Sequence, residues 1–181
     1  MSTSGKYNLS IDATFDQLDL LKETHIVVLH ATRIPPHIGM IIGGYYHSLS
    51  IKGQDIQVPI SVLMKGIRFR SIASLFIHIK TPVLFNEIYL MNRFIEKIKQ
   101  FPRVDVGIAT CISPIKLFFE EEYNIPMNTV NRLPELLMKL DALKLINASS
   151  SLFIDEKNYD LPVYSFEQIN KEIAQVRSSS K

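Results

Sequence analysis

Two apolar runs meet at a pair of glycines, and that junction constrains the fold more than any other feature of the chain. His37 to Ile42 reads HIGMII, Gly43 and Gly44 follow, and residues 45–51 read YYHSLSI. Glycine tolerates the positive φ values that a two-residue hairpin turn requires, so the segment predicts two antiparallel strands joined by a Gly-Gly turn. Residues 25–30 (HIVVLH) are rich in β-branched side chains and predict another strand. The Pro35-Pro36 pair interrupts regular structure between it and the hairpin.

The rest of the chain alternates helical and extended patterns. Phe15, Leu18, Leu20 and Leu21 suggest a short amphipathic helix within residues 11–23. Residues 54–60 extend the sheet or cover its edge, and residues 61–70 suit a short helix ending near Gly66. Residues 75–80 (LFIHIK) predict a strand stopped by Pro82. Leu84, Ile88, Met91, Ile95 and Ile98 fall at helical spacing, so residues 84–100 are the best-marked helix. A short strand is expected at 104–108, helices at 111–123 and 133–146, and a strand at 151–154. A last helix is expected at 165–176, where Ser165 and Gln168 have capping-box spacing. No repeat or low-complexity linker divides the chain. The expectation is one α+β domain over 1–181, with polar tails at about 1–8 and 177–181.

Composition narrows the classes. With 181 residues the chain buries roughly 70% of its extended surface on folding, enough for a core without covalent staples. A single cysteine excludes an intramolecular disulfide and a cysteine-based metal cluster. Net charge is +2 with no long basic block, so no nucleic-acid partner is expected. Apolar stretches fall short of the ~20 residues of a membrane helix, and no apolar signal segment opens the chain. A soluble, cytoplasmic protein without cofactor or metal is expected.

The one cysteine is the natural place to look for chemistry. Cys111 follows a short extended segment and opens a helical one, with Pro114 in a tolerated first-turn position. A helix N-terminus lowers thiol pKa and favours the thiolate, the nucleophilic form. A lone cysteine is also often a small buried hydrophobe. A thiolate needs a base, and the chain offers His25, His30, His37, His47 and His78. His37 begins a strand just after Pro35-Pro36, within reach of a strand end. His47 lies across the Gly-Gly turn and can share a face with it. The expectation is that Cys111 and His37 are neighbours, with His47 orienting the His37 ring. The third position is equally open to a carboxylate or an amide, and His47 to a structural role in the sheet. His25, His30 and His78 read as ordinary strand histidines, and no HxH or HExxH spacing supports a metal site.

The stretch from His25 to Gly53, with Pro36-His37-Ile38-Gly39 leading through Gly43-Gly44 to Tyr46-His47, resembles the first half of the permuted papain-like hydrolases. These include the lecithin–retinol acyltransferase-like and YiiX-like groups, relatives of the NlpC-type peptidases. The resemblance extends over roughly residues 24–123. It implies a small barrel-like antiparallel sheet packed against helices, with the cysteine following the histidine at the start of a helix. Position by position, it implies His37 as general base, His47 as ring-orienting residue and Cys111 as nucleophile. The string Thr110-Cys111-Ile112-Ser113 departs from the Asn-Cys-Glu-His of one group and the Ser-Glu pair of another. The implied activity is that of a thiol hydrolase or acyltransferase on a small-molecule, peptide or lipid amide or ester. The competing expectation is a catalytically silent binding module on the same frame.

Overall fold

The computed structural model describes residues 7–178. A short strand β1 (Asn8–Ser10) and a one-turn helix α1 (Asp19–Lys22) precede β2 (Thr24–Leu29), β3 (His37–Ile42), β4 (Tyr45–Ser50) and β5 (Gly53–Pro59). Helix α2 (Ile60–Phe69), β6 (Ser74–Ile79), α3 (Glu87–Lys99), α4 (Ser113–Glu122) and α5 (Leu133–Ala142) follow. The chain closes with β7 (Ile146–Leu152), β8 (Asn158–Asp160) and α6 (Phe166–Ser178). Most of the two expected tails lies outside the described residues. Of the described tail residues, Asn8 belongs to β1 and Ser178 to α6.

Six strands form one antiparallel sheet in the order β5-β4-β3-β2-β6-β7, and β1 pairs with β8 separately. The expected barrel-like closure is not found. β5 and β7 each pair with one neighbour only, leaving the sheet open with two edges. The hairpin is as expected: Ile42 pairs with Tyr45 across Gly43 and Gly44, which have φ of 58° and 79°.

The central strands read as continuous apolar runs because both faces of the sheet are covered. Side chains alternate between faces along a strand. Ile26, Val28, Ile38 and Met40 pack in one cluster with Phe94 of α3 and Phe118 of α4. Val27, Ile41, Tyr46 and Phe76 pack on the opposite face with Ile60, Met64 and Ile67 of α2. Gly66 does not end α2, because that buried stripe outweighs the ~1 kcal/mol a mid-helix glycine costs relative to alanine.

Other boundaries moved for local reasons. The expected helix over 11–23 shrinks to α1, because the backbone N–H groups of Asp12 and Ala13 bond to Ser149 O at the β7 edge and Asp16 Oδ1 accepts from the Leu18 N–H. Helix α3 begins at Glu87, where Asn86 Oδ1 accepts the Tyr89 N–H at 2.8 Å. The expected strand at 104–108 is a tight turn closed by an Asp105–Ala109 bridge, with Gly107 at φ 69°. The expected helix over 133–146 stops at Ala142, and Ile146 opens β7. At α6 the capping box forms in full: Gln168 Oε1 accepts from the Ser165 N–H, and Ser165 Oγ from the Gln168 N–H.

Candidate active site

The site gathers where β3 begins and β4 ends. His37 is the first residue of β3 and Ser48 lies near the end of the neighbouring strand. The hairpin register pairs Gly39 with Ser48 and Met40 with His47. Odd-numbered residues of β3 therefore share a face with even-numbered residues of β4. His37, Gly39, Tyr46 and Ser48 project from one face, and His47 from the other.

On the first face a chain of polar contacts runs outward from His37. Its Nε2 is 3.1 Å from Ser48 Oγ, and Ser48 Oγ donates to Asp55 Oδ2 on β5 at 2.9 Å. A carboxylate only accepts, so the Ser48 proton is committed to Asp55. Ser48 Oγ then accepts from His37, which assigns the proton of a neutral imidazole to Nε2 and leaves the Nδ1 lone pair free to take another. Gly39 is required by a close approach. A Cβ there would stand 2.5 Å from Tyr46 Cε2 and 2.7 Å from the His47 carbonyl oxygen.

The orienting role expected of His47 is not supported by this geometry. Its ring is fully buried on the opposite face, edge-on to Phe94 with centroids 6.1 Å apart. Its Nδ1 accepts from the Gln57 N–H at 3.2 Å. Gln57 sits at φ 54°, where the β4–β5 register slips. Such a slip takes an N–H out of the strand ladder, and His47 supplies its acceptor. Burial pushes the His47 imidazole down to about 4.

Cys111 sits in the turn before α4, just ahead of the N-cap Ile112. The turn is pinned from both sides: Thr110 N–H donates to Ser113 Oγ at 2.9 Å and Ser113 N–H to Thr110 O at 3.0 Å. That gives the string Thr-Cys-Ile-Ser a local purpose. The residue as a whole is half-buried. Backbone hydrogen bonds from Ile38, Cys111 and Ile112 pull its pKa down, but burial is the larger effect and leaves it above the ordinary thiol value. The low pKa expected from the helix N-terminus is thus overturned by desolvation.

Cys111 and His37 line the same cavity of about 410 Å³, with Ile38, Ile51 and Tyr164 among its walls. The backbone of Ile38, the residue after His37, lies close enough to the Cys111 thiol to pull its pKa down. Burial lowers the His37 pKa, Asp55 opposes that shift and His30 reinforces it. A thiol held up and an imidazole held down make an uncharged resting pair.

His30 lies near enough to His37 to act on it, whereas His25 and His78 lie apart. His25 and His78 face each other with ring centroids 5.2 Å apart, and His78 Nε2 is 3.0 Å from Glu23 Oε2. Among the described residues no three His, Cys, Asp or Glu side chains gather as a metal-ligand set. Sequence reasoning missed Ser48 and Asp55. The signal was the strand parity set by a two-residue turn, which places Ser48 and not His47 on the face of His37. No family model, curated protein or solved structure matches the chain.

Proposed function

We propose that the protein is a thiol hydrolase or acyltransferase acting on an ester or amide, with Cys111 as nucleophile and His37 as general acid and base. The observation that carries this reading is the shared cavity: Cys111 and His37, whose ring tautomer Ser48 and Asp55 fix, both line one space. The permuted papain-like arrangement implied by the sequence agrees with that reading, with Ser48 and Asp55 in place of His47 as the group behind the base.

The chemistry follows from the protonation states. As Cys111 Sγ attacks the acyl carbon, the thiol proton passes to His37 Nδ1, and an S–C bond forms. The Cys111 and Ile112 N–H groups, which lie beside the thiol, are the donors nearest the developing oxyanion. Collapse breaks the bond to the leaving oxygen or nitrogen, which takes the proton from the imidazolium and leaves a thioester. Water or an acceptor alcohol or amine, deprotonated by His37, then attacks the thioester and restores the thiol. Ser48 and Asp55 hold the ring in the needed tautomer and favour the imidazolium.

The test uses p-nitrophenyl acetate as a generic acyl donor. The expected result is p-nitrophenol release with an acetyl group trapped on Cys111, seen by intact mass and lost in Cys111→Ala. Release at the same rate from wild type and Cys111→Ala, with no acyl adduct, overturns the proposal.

A further inference from the structure

We infer that the substrate of this site carries a negatively charged group beside the reacting carbonyl, held by Arg33 and Lys52. The inference rests on the thiol-acyl reading above and names its substrate class. Arg33 lies in the loop leading to β3 and Lys52 in the turn between β4 and β5, and both line the cavity that holds Cys111 and His37. Their backbones are anchored: Arg33 N–H donates to His30 O at 2.8 Å and Lys52 N–H to Ser50 Oγ at 3.2 Å. Neither side chain has an ion-pair partner among the described residues.

A third cation on the wall, Arg132, is different. Its guanidinium bonds Glu135 through Nε at 2.9 Å and also through Nη2, while Nη1 donates to Tyr164 O at 3.0 Å. It is a structural tie between α5 and the segment leading to α6, and its charge is matched locally. The one acid on the cavity wall is Glu172 of α6. Two unmatched cations against one carboxylate leave the space net positive. Low-dielectric walls such as Ile51 and Val104 focus that field into the cavity. An anion entering it is attracted, and arginine and lysine side chains give a carboxylate or phosphate charge-assisted hydrogen bonds. A neutral substrate would leave both cations without a role.

The single cysteine makes the test clean, because alkylation reports on Cys111 alone. Iodoacetate and iodoacetamide deliver nearly the same group, one with a negative charge and one neutral. The ratio of their rates therefore measures the field at the thiol. In Arg33→Gln/Lys52→Gln the ratio of iodoacetate to iodoacetamide rates is expected to fall about tenfold from wild type; any change in thiolate fraction acts on both reagents alike and cancels in the ratio. In wild type it falls as salt is raised to about 1 M, through screening. Glu172→Gln raises it. All three residues are exposed, so the variants keep the fold. A ratio that is the same in wild type and the double variant overturns the inference while iodoacetamide reactivity leaves the thiol reading standing. Failure of both reagents to modify Cys111 in the folded protein at neutral pH overturns both.

Discussion

His37 Nε2 and Ser48 Oγ stand 3.1 Å apart across neighbouring strands, and the next contact outward is the Asp55 carboxylate. This arrangement fixes which ring nitrogen is free for proton transfer, and in the proposed mechanism Ser48 and Asp55 are positioning residues.

Asp55→Asn removes a charge that raises the His37 pKa. The His37 imidazole should then titrate at a lower pH than in wild type, as read by NMR of the ring protons. Acyl transfer to Cys111 should slow by about tenfold, while stability changes by less than about 1 kcal/mol because Asp55 is exposed. A merely structural Asp55 would leave the ring titration unmoved.

His47→Gln separates the two histidines of the hairpin. Glutamine keeps an acceptor for the Gln57 N–H, so Cys111 reactivity should match wild type. A loss comparable to that of Asp55→Asn would return His47 to the site.

Acid stability tests the buried rings. Burial lowers His25 and His47 to about 4. Between that value and the unfolded value of about 6.5 the unfolded chain binds more protons, so stability is full above about 6.5 and falls as pH drops towards 4. Each ring contributes on the order of 3 kcal/mol to that loss, and His47→Gln should remove its share. Denaturant unfolding at pH 7, 5.5 and 4.5 measures both slopes. A flat profile in wild type would contradict the burial assigned to these rings.

Gly39→Ala should be destabilising by about 1–3 kcal/mol, because its Cβ meets the Tyr46 ring and the His47 carbonyl at distances that require backbone movement. A thermal melt checks this. An unchanged midpoint would mean that Tyr46 does not lie across Gly39.

Much of the sheet was legible because its central strands are uninterrupted apolar runs and the Gly-Gly turn fixes the β3–β4 pairing. β7 was hidden by its composition: INASSSL has too few apolar residues to read as a strand, and it is ordered by pairing with β6. β1 and β8 are three residues each and carry no periodicity. At the site, Cys111 and His37 could be named from their positions at element boundaries. The choice between His47 and Ser48 needed strand parity, and Asp55 needed the pairing of an edge strand whose register slips. The direction of the Cys111 shift depends on burial, which a helix-start pattern does not report.

The claim that His37 serves Cys111 as its base is tested most directly by the pH dependence of Cys111 alkylation with iodoacetamide, in wild type and His37→Gln. With the thiol raised and the imidazole lowered, reaction near neutral pH proceeds by proton transfer to neutral His37, whereas at high pH the thiolate reacts unaided. The His37→Gln rate is expected to be about tenfold or more below wild type at pH 7, converging with wild type above about pH 10. Superimposable profiles across the whole range would contradict it.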